Sequence, residues 1–199
     1  RNTELLILKR KDALRKRLAR DNDRFLLRMT EKFKYRAFLT YAHEDGEHAQ
    51  KLRRALENFR VPSSLVGKET EFGPVPARLF PIFRDRDELA GSAELGEAIQ
   101  KALKDSSHLI VLCSPAAAKS FWVNEEIRVF KSMGRANRIL CLVLDGKPFA
   151  SLRDGQPELE CLPVAARRKV SEQGKITEEP SEPAAADLRR DQDGEHGAY

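Results

Sequence analysis

The chain has 199 residues, of which 41% are hydrophobic and 34% are charged. This length is enough for one α/β domain of about 130–150 residues with extensions, and the hydrophobic fraction supports a packed core. The sequence shows no apolar stretch near the roughly 20 residues that span a bilayer, and no signal peptide. Because it starts at Arg1 rather than at methionine, we expect it to be a piece of a longer protein.

The net charge of +5 is unevenly distributed along the chain. Residues 1–36 hold thirteen Lys or Arg against five Asp or Glu, whereas the remainder has a net charge of −3. The basic character therefore belongs to an arm, residues 1–32, which we expect to be helical. In decreasing order of support, this arm is a solvated helix or linker, a packing or oligomerisation helix, or a contact for nucleic acid or membrane.

Three cysteines, Cys113, Cys141 and Cys161, form neither a CxxC pair nor a Cys/His spacing that binds metal. We therefore expect no metal site. An odd, scattered set of cysteines is typical of a reducing compartment, which predicts a cytoplasmic protein.

Hydrophobic periodicity predicts alternating strands and helices. In chain order these are a strand at 35–41, a helix at 46–59, a loop at 60–77, a short strand at 78–83, a charged loop at 84–92, a helix with Leu95, Ile99, Ala102 and Leu103 facing inward, a strand at 108–113, a helix from 120 or 121, and a strand at 138–144. Pro81 predicts that the second strand is incomplete or begins late. The alternation, with two uniformly apolar strands, predicts an α/β fold in which helices cover both faces of a parallel sheet.

The pattern is weaker after residue 149. It predicts a short helix within 158–168, a hairpin around Gln173 and Gly174, and a last edge strand at 182–188.

All loops that follow the strands of a parallel sheet emerge at one edge. Here these loops are residues 41–45, 84–91, 114–122 and those from 145 onward. Polar and aromatic groups from distant positions therefore converge at this edge, which predicts a cleft.

Trp122, the sole tryptophan, lies four residues before Glu126. On a helix this spacing puts indole and carboxylate on one face, whereas Glu125 points about 100° away. The residues alone leave two simpler interpretations open: Glu126 as a solvated or salt-bridged helix residue, and Trp122 as a packing anchor.

Two classes of nucleotide site are absent from the sequence, because it has neither GxxxxGK[ST] nor GxGxxG. A phospho-receiver domain, which has a similar sheet, needs an acceptor Asp at the end of the third strand. Ser114 stands there instead.

Three segments carry a family resemblance. They are Phe-Leu-Thr-Tyr-Ala-His-Glu-Asp at 38–45, the charged loop at 84–92 with Ala90 where Pro is frequent, and the Ser-Pro to Phe-Trp-Val-Asn-Glu-Glu stretch at 114–126. Together they resemble TIR (Toll/interleukin-1 receptor) domains, and the bacterial type most. The resemblance implies a flavodoxin-like open parallel sheet with helices on both faces, a domain at 33–190 and a flexible tail at 191–199.

The resemblance also implies an activity. Many TIR domains cleave NAD+ at the nicotinamide–ribose bond, and their key residue is a Glu four positions after this Trp, which implies that Glu126 is catalytic. A carboxylate there would stabilise an oxocarbenium-like ribose, with NAD+ as substrate and no cofactor. The resemblance implies that Tyr41, His43, Asp85 and Trp122 bind substrate, although His43 stands where some relatives have arginine. Two alternatives are open: Tyr41 could be a strand-end residue half in the core, and Asp85 could pair with its arginine neighbours.

The implied partners are other TIR domains, in a homo-oligomer that completes the site. The resemblance assigns this contact to an interaction loop consisting of Arg84, Asp85, Arg86, Asp87, Glu88 and Gly91. The expected function is NAD+ hydrolysis, with cyclisation as a variant, activated by self-association in bacterial signalling or defence. The alternative is a non-catalytic adaptor that acts through TIR–TIR contacts.

Overall fold

The structure is a computed structural model that describes residues 33–70, 72–84, 95–171 and 173–189. The described residues form two compact units. One consists of residues 62–70 and 72–77, and the other holds the remainder.

The helices and strands alternate along most of the chain. In order they are β1 (Tyr35–Thr40), α1 (Gly46–Asn58), β2 (Glu69–Thr70), β3 (Gly73–Pro74), β4 (Ile82–Arg84), α2 (Leu95–Lys104), β5 (Ser106–Cys113), α3 (Pro115–Lys119), α4 (Phe121–Ser132), β6 (Ile139–Val143), α5 (Ala150–Arg153), α6 (Val164–Arg167), β7 (Arg168–Val170), β8 (Ile176–Pro180) and β9 (Ala184–Asp187). Short 3₁₀ turns occupy His43–Asp45 and Ala136–Arg138.

The larger unit is built on a five-stranded parallel sheet with the order β4-β1-β5-β6-β9. Counted along the chain within this sheet, the strand order is 2-1-3-4-5, which is the flavodoxin-like order. The predicted fold class is therefore confirmed. The smaller unit contains the antiparallel pair of β2 and β3, where the sequence predicts only a loop.

Two apolar clusters pack on the larger unit's sheet. The larger cluster joins Phe38 of β1 and Val111 of β5 to Val123, Ile127 and Phe130 of α4. The smaller cluster contains, among others, Ala37, Leu39 and Tyr41 from β1 and its following loop, together with Ala49 and Leu52 of α1. Because alternate residues of a strand face opposite sides, both faces of β1 and β5 are buried, which explains the uniformly apolar strand in the sequence.

Several predicted elements agree in detail with the structure. Strand β4 begins at Ile82, directly after Pro81, as the proline predicts. The hairpin of β7 and β8 is present, and β9 pairs with β6 as a parallel edge strand.

The short helix predicted within 158–168 is present as α6, at Val164–Arg167. One helix differs from the prediction. Helix α3 was not predicted. It forms because the Ser114 hydroxyl accepts a hydrogen bond from the Ala117 N–H, and because Pro115 suits a first helical turn.

Some predictions fall outside the described residues. These are the arm at 1–32, the tail at 191–199, the loop residues Asp85, Arg86, Asp87, Glu88 and Gly91, and the side chain of Leu95. Within the described ranges, no helix is long and apolar enough to cross a membrane, and no group of three or more His, Cys, Asp or Glu is placed to hold a metal ion. All three cysteines are free thiols and buried, including Cys161, which the sequence places near a loop.

The turn after β6 requires a glycine for two reasons. Gly146 has φ +81°, and a β-carbon there would lie 2.7 Å from the Leu159 carbonyl oxygen and 2.9 Å from Cys161 Cβ. We expect Gly146→Ala to lower the free energy of unfolding by roughly 2–4 kcal/mol, because strain from positive φ adds to overpacking. Chemical denaturation measures this change.

Gly155 is the matched control for this prediction. It has φ +65°, but a β-carbon there would meet no atom within 4 Å. Gly155→Ala should therefore cost only about 1–2 kcal/mol, the strain alone. Equal costs for the two variants would contradict the close approach of backbone at Gly146.

Candidate active site

The loop after β1 is held from both sides at the carboxyl edge of the sheet. Ser114, which follows β5, donates its hydroxyl to Asp45 Oδ2 at 2.6 Å. Arg84, the last residue of β4, places Nη1 3.5 Å from the carbonyl oxygen of Gly46. Three of the four strand ends predicted to converge, those of β1, β4 and β5, are therefore joined through this loop.

The carboxyl group of Asp45 is partly buried in this arrangement. Burial raises its pKa, and the nearby charges of Glu44 and Asp145 act in the same direction. The hydrogen bond from Ser114 and the charge of His48 oppose the increase. The Ser114 hydroxyl also accepts a hydrogen bond from the Ala117 N–H. One hydroxyl therefore connects the loop after β1 to the start of α3.

Tyr41 and His43 both lie in this loop but differ in exposure. Tyr41 is buried and packs in the smaller cluster, on the α1 side of the sheet. His43 begins the 3₁₀ turn and is exposed. The structure thus brings both residues to the predicted edge, with the Tyr41 ring on the opposite side of the sheet from α4.

Glu126 is buried, with 3% of its surface exposed. Its neighbours on the inward side of α4 include Val123, Ile127 and Phe130, all members of the larger cluster. Glutamate is rarely buried to this extent, because removing a carboxylate from water is costly. Glu126 is therefore not a solvated surface residue.

Trp122 is 54% exposed, although its spacing puts it on the same side of α4 as Glu126. It belongs to the first turn of the helix, and its ring meets that of Phe121 edge-on, with centroids 5.3 Å apart. Phe121 is 69% exposed. Trp122 is thus not a buried packing anchor, and the two rings form an exposed aromatic pair.

Glu125 has a structural partner. The guanidinium of Arg128 binds both of its carboxylate oxygens, and this contact lowers the pKa of Glu125. Arg128 also donates to the carbonyl oxygen of Gly174. Adjacent glutamates on one helix therefore have different surroundings, as the sequence predicts.

One side of α4 is held by residues that are far away in sequence. Asn124 accepts from the Ala165 N–H at 3.0 Å, and Lys131 Nζ donates to the carbonyl oxygens of Ala166 and Arg168 at 2.9 and 2.8 Å. With Arg128, these residues occupy positions i, i+4 and i+7, a single helical stripe that we call the anchoring stripe.

Glu126 lies roughly 140–160° around the helix from each member of the anchoring stripe, at about 100° per residue. The stripe therefore sets which side of α4 turns toward the sheet. Neither Asn124 nor Lys131 was predicted from the sequence to have a role. The polar i, i+4, i+7 spacing was the available signal, but it is also typical of a solvated face.

Comparison with known proteins places this architecture in a family. Residues 38–148 match the family model described as "Thoeris protein ThsB, TIR-like domain". The chain belongs to this TIR-like family. It is a TIR domain of the bacterial type, as the three sequence segments predict.

Two relatives illustrate the similarity. The chain is 32% identical over 144 residues to "NAD(+) hydrolase ApTIR" of Actinoplanes sp. (strain ATCC 31044 / CBS 674.73 / SE50/110), a match that covers 70% of this chain and 18% of that protein. The chain thus spans less than a fifth of that relative. A solved structure of the TIR domains of the activated Roq1 resistosome, which directly recognises the effector XopQ, has a TM-score of 0.44 and 22% identity, covering 63% of this chain and 66% of that chain.

The family match includes Tyr41, His43, Trp122 and Glu126. It ends at residue 148, before the segment 165–174 to which the anchoring stripe hydrogen-bonds. The roles of these side chains, and of Asp85, stay predictions.

Buried Lys131 gives the domain a pH dependence that can be measured. Burial lowers the pKa of its amine from 10.5 to about 8. Between these values the unfolded chain holds a proton that the folded chain has released, so this residue makes stability rise with pH. We expect wild type to gain stability relative to Lys131→Met between pH 8 and pH 10, as measured by denaturation at a series of pH values.

The comparison with Lys131→Met removes the contributions of other titrating groups, which are common to both proteins. At pH 7 the variant should already be less stable, because two carbonyl oxygens lose their donor. A difference in stability that does not change with pH would contradict the lowered pKa.

Proposed function

We propose that this TIR domain hydrolyses NAD+ at the nicotinamide–ribose bond and that Glu126 is its catalytic carboxylate. The observation that carries the proposal is the burial of Glu126 among apolar residues of α4, four residues after an exposed tryptophan. A carboxylate in such surroundings is a candidate for function, since a water-excluded environment strengthens electrostatic interactions. The similarity to a protein named as an NAD(+) hydrolase supports the substrate.

The chemistry requires few groups. Nicotinamide is cationic while it is bonded to ribose, so it departs as a neutral molecule and needs little acid assistance. The bond between ribose C1′ and the ring nitrogen breaks with both electrons moving to the nitrogen, which leaves an oxocarbenium-like ribose. A carboxylate beside the ribose stabilises that charge. Water then adds to C1′ and loses a proton, so that NAD+ and water give ADP-ribose, nicotinamide and H+.

Glu126 serves two steps in this proposal. It stabilises the developing charge, and it accepts the proton from the attacking water. A ribose hydroxyl that attacked in place of water would give a cyclic product, the variant expected from the resemblance. No resident cofactor takes part, because NAD+ is the substrate.

The substrate contacts follow from position. Trp122 presents an exposed ring beside the start of α4, which suits stacking on a planar base. We assign Tyr41 and His43 to the substrate on the sequence resemblance, and His43 is the exposed one of the two in the loop after β1. We assign Asp85 to the same substrate, on the sequence resemblance alone.

We further propose that self-association activates the domain. Glu126 is closed to solvent, so NAD+ reaches it only when the side chains that cover it move. The exposed Phe121–Trp122 pair is the kind of aromatic surface that is enriched in protein interfaces, and we infer that other copies, through the interaction loop of residues 84–91, complete the site.

The same aromatic pair favours the second candidate function, a non-catalytic adaptor that binds other TIR domains. In either case we place the protein in the bacterial cytoplasm, in signalling or defence. Three free, buried thiols support this location.

The test compares neighbouring glutamates. We expect Glu126→Gln to lower kcat for NAD+ by at least about 100-fold, because it removes charge stabilisation at the reacting centre. Release of nicotinamide is measured at increasing protein concentrations, and the specific activity of wild type should rise with concentration.

Glu125→Gln is the matched control, since it removes one carboxylate from the same helix. A partly exposed ion pair contributes about 0–1 kcal/mol, so this variant should fold and keep activity within about twofold of wild type. Equal losses for the two variants would contradict a catalytic role for Glu126. Absence of NAD+ consumption by wild type at every concentration would favour the adaptor.

A further inference from the structure

Thr40 is a buried polar residue for which the sequence predicts no role. It ends β1 and is 1% exposed, and its Oγ1 makes no hydrogen bond with any described residue. Buried hydroxyl groups normally have a partner, so this atom needs an explanation.

The side chain of Thr40 lies on the same side of the sheet as α4. Its partner in the parallel register is Val111 of β5, and Phe38 lies two residues earlier on β1. Both belong to the larger cluster with Val123 and Ile127 of α4. Since alternate strand residues share a face, Thr40 faces the layer that contains Glu126.

Thr40 and Glu126 also lie near the same end of that layer. Thr40 is the last residue of β1, and Glu126 is in the second turn of α4, which begins after the carboxyl end of β5. The layer between the sheet and α4 therefore contains the Thr40 hydroxyl, which has unused hydrogen-bonding capacity, and the Glu126 carboxylate. Apolar residues of the larger cluster are in the same layer.

Packing alone does not explain a hydroxyl at this position. Valine has nearly the same shape as threonine, favours strands, and would bury no polar atom. The threonine hydroxyl offers one donor and two acceptor sites, which matches a sugar hydroxyl that both donates and accepts.

We propose that Thr40 Oγ1 hydrogen-bonds a hydroxyl of the nicotinamide-bearing ribose and positions C1′ beside Glu126. This inference rests on the proposed function and identifies the part of NAD+ that is held at the base of the site. Thr40 is a substrate-binding and positioning residue here, and it takes no part in proton transfer.

The test uses two variants that separate the hydroxyl from the shape. Thr40→Val keeps the volume and removes the hydroxyl, whereas Thr40→Ser keeps the hydroxyl. We expect Thr40→Val to melt at or above the wild-type temperature, because it removes an unsatisfied buried group, and to bind NAD+ about three- to tenfold more weakly. Thr40→Ser should bind within about twofold of wild type, because it retains that hydrogen bond.

Substrate analogues identify the contact. Binding of NAD+ and of its 2′-deoxy and 3′-deoxy forms, each modified on the nicotinamide ribose, is measured by calorimetry with wild type and Thr40→Val. For one of the two analogues, the difference between the proteins should disappear, since the partner hydroxyl is already absent. A loss of the same size for all three ligands, or no loss for NAD+, would overturn the proposal.

Binding and cleavage are recorded separately, so the two proposals fail in different ways. Wild type that binds NAD+ without cleaving it would contradict the hydrolase, and the role of Thr40 would still be decided by the analogues. If Thr40→Val cleaves NAD+ with the same kcat and KM as wild type, only the proposed role of Thr40 is contradicted, and the hydrolase activity stands. Wild type that does not bind NAD+ would overturn both.

Discussion

The anchoring stripe of α4 is the constraint on which the candidate site depends. Asn124, Arg128 and Lys131 hydrogen-bond to backbone groups of residues 165–174, which lie 35–46 positions away in sequence. A helix packed only through apolar contacts could rotate to bury another set of side chains. Side-chain-to-backbone bonds on one side remove that freedom, and Glu126 is consequently held on the other side, with Val123 and Phe130.

Two other acidic residues of the domain have clearly defined partners. Glu125 is bound by Arg128. Glu160 is also buried, but it accepts hydrogen bonds from Leu162 N–H and Ser151 Oγ at 2.9 and 2.7 Å and pairs with Arg167. Burial alone would raise the pKa of Glu160, yet these donors together lower it. Glu125 and Glu160 therefore have clear structural roles. Glu126 is buried on the side of α4 that also holds Val123 and Ile127.

Local sequence signals predicted most of the sheet. The apolar strand at 108–113 is buried on both faces, and this burial is visible directly in its composition. Pro81 located the start of β4 because proline cannot donate to a ladder. Helix α3 was not predicted, because it depends on the Ser114 hydroxyl bonding to a single backbone N–H. The clustering of Cys161 with the core was also not predicted, since it depends on contacts far away in sequence.

The candidate site was predictable only in part, for a related reason. Helical spacing fixes the angles between Trp122, Glu125 and Glu126, but it does not fix the rotation of the helix as a whole. That rotation depends on the carbonyl groups that Lys131 meets in a segment where the sequence pattern is weak. Thr40 was missed because a threonine at the end of a strand is ordinary until its burial is known.

A crystal structure of the Glu126→Gln variant with NAD+ bound would show whether the ribose binds between Glu126 and Thr40. We expect ribose C1′ in van der Waals contact with the substituted side chain, about 3.5–4 Å away, and a ribose hydroxyl about 3 Å from Thr40 Oγ1. NAD+ bound elsewhere on the domain, with both side chains still enclosed by apolar residues, would contradict it.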